Sequence, residues 1–158
     1  TQADRDALRL GLKNGLIDVV ATDHAPHLMS EKQGGCFTAA SGMPLVQYSL
    51  VAMLEMADKG VFTTETVVDK MCHAPATLYR INKRGFIREG YYADLVLVDT
   101  NASYAVNASD IKSRCGWSPF EGVRFHNRVH ATFVNGNKVY ENGEVLGTSR
   151  GKRLTFSV

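Results

Sequence analysis

The sequence lacks most of the features that would assign it to a specialised class. Cysteine is scarce: Cys36, Cys72 and Cys115 stand far apart, odd in number and with no C-x-x-C pair. Neither a disulfide framework nor a cysteine-rich zinc site is expected, and reduced thiols in a cytoplasmic protein are the simplest reading. No apolar run approaches the roughly 18 residues of a membrane span, and no basic region leads into an apolar stretch as an export signal would. The sequons at Asn101-Ala102-Ser103 and Asn107-Ala108-Ser109 then read as turn residues. The net charge is only +2, with no run of like charges. Two basic clusters, Lys83/Arg84/Arg88 and Arg150/Lys152/Arg153, read as solvated edges, so neither nucleic acid nor a membrane is an expected partner. No internal repeat is visible.

What is present is ordinary globular material. The 158 residues are 44% hydrophobic and 22% charged, enough for a soluble domain with a sizeable core. Residues 2–14 show an amphipathic helical pattern with Ala3, Leu8, Leu10 and Leu12 on the apolar side and Asn14-Gly15 as the stop. Residues 16–21 are short, apolar and β-branched, the pattern of a buried strand. Residues 22–42 form a long irregular stretch with Pro26 and three glycines, and such loops are usually functional. Pro44 opens a helical pattern carried by Leu45, Tyr48, Val51, Ala52 and Met56 and closed by Gly60. Thr63 or Thr64 caps the next helix, lined by Val67, Val68, Met71 and Leu78, with Pro75 expected to break or restart it after His73.

From Gly85 the pattern changes to short strands. Residues 93–98 alternate as a strand. Residues 129–134 and 138–140 flank Asn135-Gly136, a strong hairpin signal, and Asn142-Gly143 marks a second turn. Residues 154–158 read as a last strand. Phe86, Tyr91 and Tyr92 read as core of this β segment, Trp117 as a packing residue, and His126 and His130 as flanking a strand far from any site.

The chemistry concentrates in Thr22-Asp23-His24-Ala25-Pro26-His27, at the C-terminal end of the apolar segment. Catalytic groups of α/β barrels and open α/β sheets sit at that end of their strands. An aspartate there is costly to bury without a metal, a partner or a proton to handle, and two histidines add ligand or anion-binding groups. On residue type alone, a loop-capping aspartate with polar histidines fits better, and the spacing matches no compact metal motif.

This segment resembles the motif after the eighth barrel strand of dihydroorotases in the amidohydrolase superfamily. The resemblance extends along the chain: residues 4–8 and 11–18, Met43-Pro44-Leu45, Ala74-Pro75-Ala76 (with His73 where the family has Asn), residues 85–99, Ser118-Pro119-Phe120-Glu121-Gly122 and residues 132–136 follow in family order. It implies an α/β fold that is an incomplete TIM barrel: the last strand and helices of a metal-dependent hydrolase barrel in residues 1–84, and a small all-β, sandwich-like domain in residues 85–158.

The resemblance further implies a C-terminal fragment of an enzyme that reversibly hydrolyses dihydroorotate to carbamoyl aspartate in pyrimidine biosynthesis. Asp23 would be the final carboxylate ligand of one or two zinc ions, the general base, and then the proton donor to the leaving amide nitrogen. His27 would contact the substrate carboxylate. Ser41 and Gly42 would present backbone to the ring, although the loop departs from the family's Gly-Leu-Glu-Thr run, and His24 would support the site from behind. The remaining ligands would lie in a missing N-terminal part of the same polypeptide. The chain alone is therefore expected to be inactive, not to hold zinc by itself, and to associate as a homo-oligomer. A hydantoinase- or allantoinase-type cyclic amidohydrolase, or a catalytically silent structural homologue, remains open.

Overall fold

A computed structural model of the chain describes residues 1–147 and 151–157. Arg150 of the second basic cluster and Val158 of the expected last strand lie outside the described residues.

Helix α1 (Gln2–Lys13) begins with a capping box between Thr1 and Asp4: the Thr1 hydroxyl accepts from the Asp4 amide at 3.3 Å. It stops where the sequence places its stop, with the Leu16 amide reaching back to the Gly11 carbonyl at 2.9 Å around Gly15. Its apolar side is only partly used. Gly11 and Leu12 are buried, but Leu8 and Leu10 are exposed, because only the last turn reaches the core.

The buried strand expected at residues 16–21 does not form. The segment joins no β ladder among the described residues, and Leu16 is 81% exposed. A strand needs a lateral neighbour for its N–H and C=O groups, and none of the described strands lies beside this one. One anchor replaces the ladder: the Val20 amide donates to the Lys70 carbonyl at 3.0 Å.

After the long loop, a 3₁₀ turn (Val46–Tyr48) leads into α2 (Ser49–Asp58). Helix α2 serves two cores. Met53 and Leu54 join Leu12, Phe62 and Val67 on one side; Tyr48 and Val51 join Val106 and Phe125 on the other. Each fully buried side chain of this size contributes about 1.5–3 kcal/mol. Burial also pushes the Tyr48 phenol up to about 12, reinforced by Tyr104, Asp110 and Tyr140.

Thr63 caps α3 (Thr64–Val68), as expected. Pro75 restarts the helical run rather than ending it. The chain passes through a π-helical turn (Asp69–His73) into α4 (Ala74–Leu78), with the Ala74 amide bonding Asp69 five residues back. The wider turn accommodates a proline ring that the α geometry would reject. Val67 is buried, but Val68 and Leu78 are exposed, so the apolar side is narrower than the sequence suggests.

The remainder is β. Strands β1 (Leu95–Asp99), β4 (Arg128–Val134), β5 (Asn137–Glu141) and β6 (Glu144–Val145) form an antiparallel sheet in that order. Strands β2 (Tyr104–Ala105) and β3 (Arg124–Phe125) make a separate ribbon. The β4–β5 turn has Asn135 and Gly136 at φ +51° and +81°, the two left-handed residues of a type I′ hairpin. Among the described residues, 154–157 contribute a bridge between Ile81 and Phe156 rather than a strand. Tyr92 is exposed, not core; it lies under the Arg84 guanidinium, 4.2 Å from its ring centre. Phe86 is half-buried, stacked on His73 with ring centres 4.4 Å apart. The ribbon ties the β segment to the helices, with Phe125 stacked on Tyr48. Among the described residues, no helix is long and apolar enough to cross a membrane.

Candidate functional site

Asp23 stands at φ +44°, in the left-handed region that few residues besides glycine, asparagine and aspartate enter. It turns the chain out of the segment at 16–21 and into the loop. Its carboxylate is exposed and has no hydrogen-bond partner among the described residues. An unengaged, water-facing carboxylate is free to accept a ligand or a proton.

The next residues are held firmly. His24 pairs with Met43 in a parallel bridge, and the Ala25 amide donates to the Met43 carbonyl at 3.1 Å. The Val46 amide donates to His24 Nδ1 at 3.2 Å. Because Nδ1 accepts that bond, the proton of the neutral ring sits on Nε2. His24 thus ties the loop to the entrance of α2.

Gly42 lies against Ala25 at φ +100°, and a Cβ there would come within 2.5 Å of the Ala25 Cβ. Only glycine allows this approach. The Lys32 ammonium donates to the Gly42 carbonyl at 2.9 Å and also to the Ala40 carbonyl, closing the loop on itself. Ser41, between those carbonyls, is exposed.

His27 is engaged on both sides of its backbone. Its N–H donates to the Ala25 carbonyl at 3.0 Å, and its carbonyl accepts from Trp117 Nε1 at 2.8 Å. Its ring Nδ1 lies 3.6 Å from Glu31 Oε2, which also accepts from the Leu28 amide at 2.7 Å.

The structure therefore gathers His24, His27 and Gly42 into one folded loop, with Asp23 at its entry and Ser41 on its rim. Sequence reasoning missed Lys32, a lone lysine in a glycine-containing loop, and the bond from Trp117. Two of the other three histidines are used elsewhere: His73 on Phe86, and His126 on Glu55, with Nδ1 at 3.1 Å from the carboxylate. Among the described residues, no three His, Cys, Asp or Glu side chains converge as a metal site. Zinc takes three or four protein ligands, so Asp23 can be one ligand but not a zinc centre.

The sequence pattern of the amidohydrolase family matches residues 1–139. A dihydroorotase of Pyrococcus furiosus is 31% identical over 153 residues, 97% of this chain and 36% of that protein. A dihydroorotase of Halobacterium salinarum is 40% identical over 152 residues, 95% of this chain and 35% of that protein. Among solved structures, an L-hydantoinase (dihydropyrimidinase) from Arthrobacter aurescens superposes with a TM-score of 0.82 at 34% identity, covering 88% of this chain and 32% of that one. A D-hydantoinase superposes with a TM-score of 0.83 at 21% identity, over 92% and 33% of the two chains, which bears on the fold alone. The chain spans about a third of the length of the curated relatives it matches. Its architecture is a partial α/β barrel joined to a small β domain.

Proposed function

The chain belongs to the amidohydrolase family, and from that premise we propose that it is the last third of a cyclic-amide hydrolase acting on dihydroorotate. We assign residues 1–84 to the barrel and residues 85–158 to the β domain. The observation that carries the reading is the loop after Asp23. A free carboxylate at a left-handed turn is followed by two histidines whose backbone and ring are pinned to Met43, Val46 and Trp117. The dihydroorotase relatives at 31% and 40% identity support the substrate.

In this reading, water adds to the ring carbonyl carbon, the ring C–N bond breaks, and the nitrogen leaves protonated. Asp23 takes the proton from the attacking water and delivers it to that nitrogen. His27 meets the substrate carboxylate, and the tight Gly42–Ala25 contact shapes the backbone wall facing the ring. Zinc, when bound, would acidify water and polarise a carbonyl; Asp23 would be one of its ligands, and the rest would come from polypeptide beyond this chain. Leu16 and Ile87, 81% and 89% exposed, support a covering partner, which we take to be that same polypeptide. The compartment we assign is the cytoplasm, and this chain alone should not hydrolyse dihydroorotate.

The hydantoinase superposition at 34% identity favours a second reading, the same chemistry on a hydantoin ring. The test is zinc-dependent hydrolysis of both substrates by the intact polypeptide beside an Asp23→Asn variant. Asparagine tolerates the left-handed turn but can neither shuttle the proton nor offer zinc an anionic ligand, so kcat should fall by about 10²–10⁴. Activity on hydantoins alone would replace the substrate. An intact polypeptide that binds no zinc and turns over neither would make this a silent structural homologue.

A further inference from the structure

The side chain of Trp117 links the β segment to the candidate site. Trp117 is the chain's single tryptophan, half-buried on the connection between the 3₁₀ turn Ala108–Asp110 and β3. Its Nε1 donates to the His27 carbonyl at 2.8 Å, across 90 positions of sequence.

The connection that carries the indole is itself held on both sides. Upstream, Gln47 clamps the connection: its Nε2 donates to the Asp110 carbonyl at 2.7 Å, and its Oε1 accepts from the Lys112 amide at 2.8 Å. Downstream, Ser118 is buried and its hydroxyl accepts from the Phe120 amide at 3.2 Å. Between loop and connection lies a cavity of about 230 Å³ lined by His24, Gln47, Lys112 and Trp117 among others.

With its N–H bound to Ala25 and its C=O bound to Trp117, His27 has no free backbone group, and its main-chain direction is set. We propose that Trp117 is a positioning residue for His27: the indole N–H, offered by the β domain, orients the histidine toward the substrate carboxylate. This rests on the reading above in which His27 meets that carboxylate. Trp117 touches no reacting atom and acts only through His27.

The test is a double-mutant cycle in the intact polypeptide with Trp117→Phe and His27→Asn, read in two ways. Phenylalanine keeps an aromatic ring and removes the N–H. A hydrogen bond of this kind is worth about 1 kcal/mol or somewhat more, so Trp117→Phe should raise KM for dihydroorotate by about five- to ten-fold with kcat within about two-fold. In the His27→Asn background it should add nothing further. The second readout, the ring C–H resonances of His27, needs no turnover; they should shift in Trp117→Phe. Additive effects on KM with a lowered melting temperature would show Trp117 to be merely structural and overturn the proposal, as would unmoved His27 resonances. An inactive parent whose His27 resonances still move would overturn the functional reading and leave the positioning role standing.

Discussion

The amide of Val20 bonds the carbonyl of Lys70 at 3.0 Å, and Pro75 is the reason that carbonyl is available. In a regular α-helix the Lys70 carbonyl would receive the amide of Ala74, but in the π turn that amide goes to Asp69. The residue one further on is Pro75, which has no N–H. The carbonyl is therefore released by the helix and taken by the segment at 16–21, which has no other ladder. A proline that sequence logic assigns to breaking a helix instead opens an acceptor that anchors the chain leading to Asp23.

Pro75→Ala should remove that acceptor. Alanine restores a donor and favours regular α geometry, so the melting temperature should hold or rise. The Val20 amide should exchange with solvent roughly five-fold faster, the equivalent of losing one hydrogen bond of about 1 kcal/mol. Native-state hydrogen exchange measures this directly, and an unchanged Val20 rate would show that the π turn does not depend on Pro75.

Gly42→Ala should be costly at a place where most surface glycines are not. The position combines φ +100° with a Cβ clash on Ala25 at 2.5 Å. Strain of this kind is of order 1–3 kcal/mol, and the loop must also part from Ala25 and disturb the His24–Met43 bridge. Denaturant unfolding should show the loss, and hydrolysis by the intact polypeptide should fall with it. A variant of wild-type stability would mean that the loop relaxes easily and that the close approach does not shape the site.

Much of this was legible in the sequence, and the exceptions share one cause. The stop at Gly15, the cap at Thr63, the Asn135-Gly136 hairpin and the position of the Asp23 loop are local decisions, made by residues within a few positions of each other. The strand at 16–21, the exposed Leu8 and Leu10, and the continuous helix through Pro75 depend on neighbours that local sequence does not name. Apolar periodicity reports that a face wants covering, not which segment covers it. The candidate site follows the same rule. Asp23, His24 and His27 were found as a motif, whereas Trp117, 90 positions from His27, read only as a packing residue because nothing in its own neighbourhood announces the bond.

The junction between helices and β segment turns on Glu55. Its side chain is 9% exposed on α2, and its carboxylate accepts from the His126 amide and ring, each at 3.1 Å, and from Lys59 at 3.1 Å. Beside it Asn127, buried to 1%, donates to Asp58, so the β3–β4 corner rests on this helix. Burial alone pushes the Glu55 carboxyl up, but the bonds from His126 and Lys59 outweigh it and hold it below the usual carboxylate value of 4.5. A depressed value means that the folded protein favours the ionised form. The stability this gives is complete above pH 4.5 and is lost as pH falls through the folded value. Glu55→Gln keeps one acceptor but cannot titrate. It should cost about 1–3 kcal/mol near neutral pH, because a donor from His126 or Lys59 is left poorly matched. Its urea-unfolding free energy should then decline less than the wild type's as pH drops from about 6 to about 3.5. Parallel pH profiles for the two proteins would place the acid sensitivity in other carboxylates and remove Glu55 as the pH-dependent part of this junction.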